Sequence, residues 1–180
     1  MAGQLIQVDT FTISSPVASV ILGGGSSGSS SYNFAINTDD VYMVAYNDWK
    51  TDTDNVQCRL RVTKSGTADV TGNYDLAAKL LEASVVFYNY AVTNSTFLGM
   101  DNIGTGTSES QNGIFYLFNF NSSSEYSFVT YETVYINPAP KTAGFAGGMV
   151  HTVASASDGI QLLQSAGNIA SGTFTLYKVV

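Results

Sequence analysis

Enzymatic chemistry needs side chains that move a proton, hold a metal or attack a carbon, and this sequence has few of them in company. There is one histidine, His151, and one cysteine, Cys58. A serine nucleophile needs an imidazole to take its proton, so any Ser-His-Asp relay would have to run through His151. No strand-turn-helix elbow is predicted to display the serine, and the one Gly-x-Ser-x-Gly match, Gly24 to Gly28, falls inside the pure Gly/Ser run. With Val150 and Val153 as neighbours, His151 reads as a packed strand residue. Cys58 alternates with Val56, Leu60 and Val62, the pattern of a small hydrophobe on the inward face of a strand. A single cysteine forms no internal disulfide, so the fold is expected to stand without an oxidising compartment.

The acids offer more material and little order. Asp48, Asp52, Asp54 and Asn55 set several oxygen ligands within eight residues, enough in principle for Ca²⁺. They lack the central glycine and distal glutamate of an EF-hand loop, and an acidic turn is the simpler expectation. Glu82, Glu109, Glu125 and Glu132 supply candidate carboxylate pairs for glycoside hydrolysis, whose outcome depends on a separation that sequence does not encode. Gly23-Gly24-Gly25 follows a strand pattern, but no phosphate-loop lysine or helix comes after it. Asn94-Ser95-Thr96 and Asn121-Ser122-Ser123 match the glycosylation acceptor pattern, which acts only on a secreted chain. The expectation is no catalysis, no cofactor and no obligatory metal. Tyrosine is different: eleven tyrosines and one tryptophan among Ser, Gly and Asn also make up surfaces that bind, because a rigid ring gives contact area at low entropic cost. Tyr88, Tyr90 and Phe97, beside polar loops, are the candidate partner-interface residues.

The elements that must position these residues read as strands. At 180 residues the chain fits one domain, residues 1–180, with enough surface buried to need no staples. Only 12% of residues are charged, and the formal net charge of −7 argues against nucleic acid or an anionic membrane as partner. The N-terminus has neither a basic nor an apolar leader region, and no apolar run reaches the ~18 residues of a membrane span, so neither export by that route nor spanning is expected. Strand patterns run over Ile6–Ile13, Val17–Leu22, Val41–Asn47, Val56–Thr63, Val85–Tyr90, Gly113–Phe120, Tyr126–Tyr135, Val150–Ala156 and Ile160–Leu163. Between them, Asp48–Asn55 reads as a turn, Thr93–Asn112 as a polar connection, and the stretch closed by Gly147-Gly148 as a loop. Gly23–Ser31, pure Gly and Ser, reads as a flexible surface loop.

Val56–Thr63 alternates cleanly, with Gln57, Arg59, Arg61 and Thr63 expected outward. Asp75–Ala83 is ambiguous: Leu76, Leu80 and Ala83 have helical spacing, yet the neighbours favour a sheet. The last residues, Gly167–Val180, read as a terminal strand whose Phe174, Leu176 and Tyr177 are too apolar for water, so the C-terminus is expected to be pinned inside a sheet. Together these patterns predict an all-β, antiparallel sandwich or barrel of about eight to ten strands.

Four stretches, in order, resemble a family of small tailed-bacteriophage virion proteins: VDTFTISSPVASVIL (8–22); DDVYMVAYNDWKTDTDNVQCRLRVTKSG (39–66) with GNYDLAAKLL (72–81); GIFYLFNFNSSSEYSFVTYE (113–132); and SAGNIASGTFTLYKV (165–179). The family signature is an ending of the form SGNI-SGTF-LYG; here Ala166 precedes Gly167 and Lys178 stands where glycine is usual. The resemblance implies a jelly-roll β-sandwich with Asp75–Leu81 in a sheet, and a non-enzymatic role on the outer surface of a phage particle, assembled in the host cytoplasm. A single domain without coiled-coil heptads or repeats favours a stand-alone capsid decoration, cement or knob over a fibre. The alternative it leaves open is a tail-fibre or receptor-binding head that recognises host-surface glycans. Expected partners are the major capsid protein or other virion proteins and further copies of the chain, with a trimer the first expectation.

Overall fold

A computed structural model describes residues 3–24, 36–84 and 87–180. Among them are thirteen strands and no helix: β1 (Leu5–Thr12), β2 (Ser19–Gly23), β3 (Tyr42–Thr51), β4 (Val56–Lys64), β5 (Thr67–Ala68), β6 (Tyr74–Glu82), β7 (Phe87–Ser95), β8 (Leu98–Ile103), β9 (Gln111–Phe118), β10 (Ser127–Ile136), β11 (Thr142–His151), β12 (Gly159–Gln164) and β13 (Ile169–Val179). Eight form one sheet in the order β1-β13-β3-β9-β10-β11-β6-β7. The other five form a smaller sheet, β2-β12-β4, with β5 and β8 both on the far side of β4. Every pairing is antiparallel, and the fold is an all-β sandwich.

The period-2 pattern explains the two layers, because alternate side chains leave opposite faces of a strand. Val44, Tyr46, Phe115, Leu117, Val129, Tyr131, Phe145, Met149, Phe174 and Leu176 from the large sheet meet Val20, Leu22, Cys58, Leu60, Val62, Ile160 and Leu162 from the small one. All belong to a single cluster of buried side chains. Aromatic rings organise its centre: Tyr46 stacks on Phe115 at 5.1 Å and on Phe174 at 6.1 Å, and Trp49 meets Phe174 edge-on at 5.2 Å.

The terminal strand lies inside the large sheet as expected, laddered to β1 on one side and β3 on the other. Phe174 and Leu176 face the core, whereas Tyr177 is half-buried on the opposite face. Asp75–Leu81 is strand, within β6. Its helical spacing was a coincidence of composition: Leu76, Ala78 and Leu80 share one face at period 2, and ladders with β11 and β7 on both sides override the intrinsic preference.

Several expectations need correction. Among the described residues thirteen strands are present, more than the expected eight to ten, because segments such as β5 and β8 pair as well. The Asp48–Asn55 turn begins inside β3, which runs to Thr51. Asp48 takes a left-handed φ of 55°, and the chain accommodates it with a bulge, where the Asp48 N–H donates to Asn112 Oδ1 at 2.9 Å. The polar connection Thr93–Asn112 contains the end of β7 and all of β8. The glycine-rich loop before Val150 is β11, and the strand there ends at His151 instead of running to Ala156. Gly147 is required for pairing, not turning: a Cβ there would stand 2.4 Å from the Ala77 carbonyl oxygen. Thr63 is buried, not outward, and its hydroxyl donates to Asp158 Oδ1 at 2.9 Å. Of the expected Gly/Ser loop, Gly23 ends β2 and residues 25–31 lie outside the described residues, as do 85 and 86 of the expected Val85–Tyr90 strand.

Phe174 is fully buried against Tyr46 and Trp49, so Phe174→Ala is expected to cost about 3–5 kcal/mol. Denaturant unfolding of the two proteins measures this, and a loss of less than about 1 kcal/mol would contradict the placement.

Candidate functional site

The residues capable of chemistry are dispersed by the fold, each into a local structural task. Asp48 pairs with Lys50 at 3.3 Å. Asp52 accepts from the Asn168 N–H at 2.8 Å and Asn168 Nδ2 at 2.9 Å, and these bonds hold its carboxyl below the usual carboxylate range. Asp54 lies instead by the Gly104 backbone, close to Glu109. The three aspartates therefore share no centre, and among the described residues no three His, Cys, Asp or Glu side chains gather to hold a metal ion. Glu82 is tied to Lys141 at 2.9 Å and to Asn137, while Glu109 closes its own turn on the Gly106 N–H. Glu125 sits in the β9–β10 turn and Glu132 on an outer face, so the glutamates do not converge either.

The acid and imidazole that do meet are Asp69 and His151, 2.7 Å apart between Oδ2 and Nε2. His151 is 3% exposed, its ring lies 4.9 Å from that of Tyr74, and the Tyr74 hydroxyl donates to the Asp69 carbonyl. Burial raises the Asp69 carboxyl, but bonds from the Thr71 hydroxyl, His151, the Thr71 N–H and Asn73 outweigh it and hold the group well below the usual range. The arrangement clamps the segment after β5 onto the end of β11. Cys58 is buried as expected, and burial pushes its thiol up, away from nucleophilic reactivity.

The expected interface residues lie along one strand and its exit. Tyr88 and Tyr90 project from the same face of β7, and Phe97 occupies the turn into β8. They do not form one patch. Tyr88 is half-exposed over a groove of about 680 Å³ at one end of the sandwich, bordered by Asp54, Asn55, Asp101, Asn102 and Asn137. Tyr90 packs edge-on against Phe145 at 5.5 Å, partly in the core. Phe97 lies under the Arg59 guanidinium, 3.8 Å from the ring centre.

What the sequence reading missed is the outer face of the large sheet. Phe128 and Val134 on β10 point away from the core, 44% and 53% exposed, because β10 alternates buried and exposed without a break. Leu81 and Phe87, directly paired near the β6–β7 tip, add 42% and 65% exposure. Between these rims Ala77, Ala91, Gly144, Ala146 and Gly148 are small and leave two apolar depressions, separated by a row that carries Glu132 and Lys79 on the same face. The alternation in Tyr126–Tyr135 held this information, since Phe128 and Val134 fall on the face opposite Val129, Tyr131 and Tyr135, and burying one set offers the other to solvent.

No family model matches the chain, and a search among curated proteins finds no match.

Two outcomes follow. Asp69 has a depressed folded-state value, so its stabilisation is complete above the unfolded value of about 3.9 and is lost as pH falls toward the folded one. Asp69→Asn is expected to lower Tm by on the order of 5 °C at neutral pH, with the gap narrowing below about pH 4; a gap that is constant with pH would contradict the assignment. Because the aspartates are spent on separate partners, a chelator is expected to leave Tm unchanged, and a large fall would revive a structural Ca²⁺ site.

Proposed function

We propose that this chain is a non-enzymatic virion structural protein of a tailed bacteriophage, a capsid decoration, cement or knob on the outer surface of the particle, built as a jelly-roll sandwich. The observation that carries the reading is the outer face of the large sheet, where Leu81, Phe87 and Val134 at one end and Phe128 at the other are offered to solvent on either side of Glu132 and Lys79. Exposed apolar side chains set around a pair of charges fit protein contact, whether with the major capsid protein or with other copies of the chain. The four stretches that resemble phage virion proteins, and above all the SAGNIASGTFTLYKV ending, point the same way. Dispersal of the acids and burial of Cys58 and His151 support a role without catalysis. The net charge of −7 disfavours nucleic acid as partner.

One observation favours a second reading, a receptor-binding head that takes host glycans. The groove under Tyr88 combines a half-exposed ring with the amides of Asn55, Asn102 and Asn137 and the carboxylates of Asp54 and Asp101, groups suited to stack on and hydrogen-bond a sugar.

Copy number per particle, measured by quantitative mass spectrometry against the major capsid protein, separates the two. A surface decoration on a symmetric shell is expected in the hundreds of copies, as an order of magnitude. A count of about six to thirty would place the protein on the tail and favour the glycan-binding head, and absence from purified particles would end both readings.

A further inference from the structure

We propose that Arg59 and Arg61, side by side on the outward face of β4, form a binding site for the dianionic phosphate group of a monoester. The two side chains leave the same face of the strand, two residues and so about 7 Å apart. They converge on one dipeptide. The Arg59 guanidinium stacks on the Phe97 ring, 3.8 Å from its centre, and Arg61 Nε donates to the Thr96 carbonyl at 3.0 Å. Arg59 Nε donates in turn to Gln57 Oε1 at 3.1 Å, with Gln57 laid across Gly99, which has no side chain to displace it.

Neither arginine has a carboxylate. The chain carries 14 acids against 7 lysines and arginines, and Lys50, Lys141 and Lys178 each pair with an acid, yet among the described residues no Asp or Glu pairs with Arg59 or Arg61. The flanking strands supply none: Arg59 is set against Leu163 on β12 and Gly99 on β8, and Arg61 against Gln161 on β12. Burial lowers the Arg59 guanidinium from its ordinary value and the charge of Arg61 lowers it further, so each cation stands in the field of the other without compensation.

The chemistry of the pair selects its ligand. The internal bonds use Nε alone, which leaves the Nη groups of both forks without a partner among the described residues. Two forks about 7 Å apart can each give N–H···O bonds of about 2.8 Å to one tetrahedral group between them. A phosphate monoester brings three acceptor oxygens and a charge of about −1.5 to −2, which matches two guanidinium groups, whereas a single carboxylate would leave one of them uncompensated. A polyanion would need a longer row of cations, and the next outward positions on β4 are Gln57, uncharged, and Thr63, buried. Stacking on Phe97 and the two Nε bonds fix the forks in advance, so less ordering remains to be done on binding.

The site is independent of the protein's place on a particle, and its test uses the purified full chain. Glycerol phosphate added at constant ionic strength is expected to shift the Nε–Hε resonances of Arg59 and Arg61 saturably, with a Kd on the order of 1 mM. Binding is expected to weaken below about pH 6, where the phosphate loses its second charge. Arg59→Gln and Arg61→Gln are each expected to weaken binding about tenfold, and Lys79→Gln, on the other sheet, to leave it unchanged. The titration of the unaltered chain stands as a test even if a variant folds poorly. A hexose phosphate that binds equally well assigns the phosphate group itself as the ligand, and one that binds tenfold tighter supports the site with a phosphorylated sugar as its source. Succinate binding as tightly as glycerol phosphate, resonances that move without saturating, or arginine variants that bind like the unaltered chain would overturn the proposal. Any of these would leave a high copy number on the particle intact.

Discussion

The structure depends on where its last strand is held. β13 enters the large sheet between β1 and β3, so the two ends of the chain are neighbours and β1 is laddered to the rest of the sheet through residues 169–179. Phe174 and Leu176 deliver the terminal strand's apolar surface to the centre of the core, at about 2–3 kcal/mol each by area removed from water. Val17 bridges to Ile169 at the start of the same strand, tying the lead-in to β2 to the large sheet. A fold closed this way depends on long-range pairing, and its parts have little reason to be stable separately.

That closure was legible because it rests on period 2. The same pattern in Val56–Thr63 and Tyr126–Tyr135 identified β4 and β10, and alternation placed Cys58 correctly in the core. What misled was local chemistry that the fold reuses. Asp48 and Gly147 carry turn propensities, yet one forms a bulge and the other permits close approach of two strands, because sheet pairing on both sides outweighs the local preference. Thr63 alternates outward on paper and is buried in fact, held by Asp158, a partner 95 residues away that no local pattern reveals.

The candidate site shows the same division. Residue types exposed the poverty of catalytic groups, and Tyr88 did prove to stand at a surface groove. Tyr90 and Phe97 were harder, since an aromatic beside a polar loop is recruited by whatever lies across from it, here Phe145 and Arg59. The outer face was hidden because it is assembled from β6, β7, β10 and β11, whose adjacency exists only in the folded sheet. Glycines and alanines that look featureless along the chain become apolar depressions once those strands are side by side.

Native-state hydrogen exchange tests the central claim most directly. If β13 holds the large sheet together, the amides of Phe174 and Leu176 exchange only by global unfolding, with the same denaturant dependence as those of β3 and β9. Exchange of the β13 amides through a local opening, independent of denaturant while β3 and β9 stay protected, would show that the sheet does not depend on its last strand.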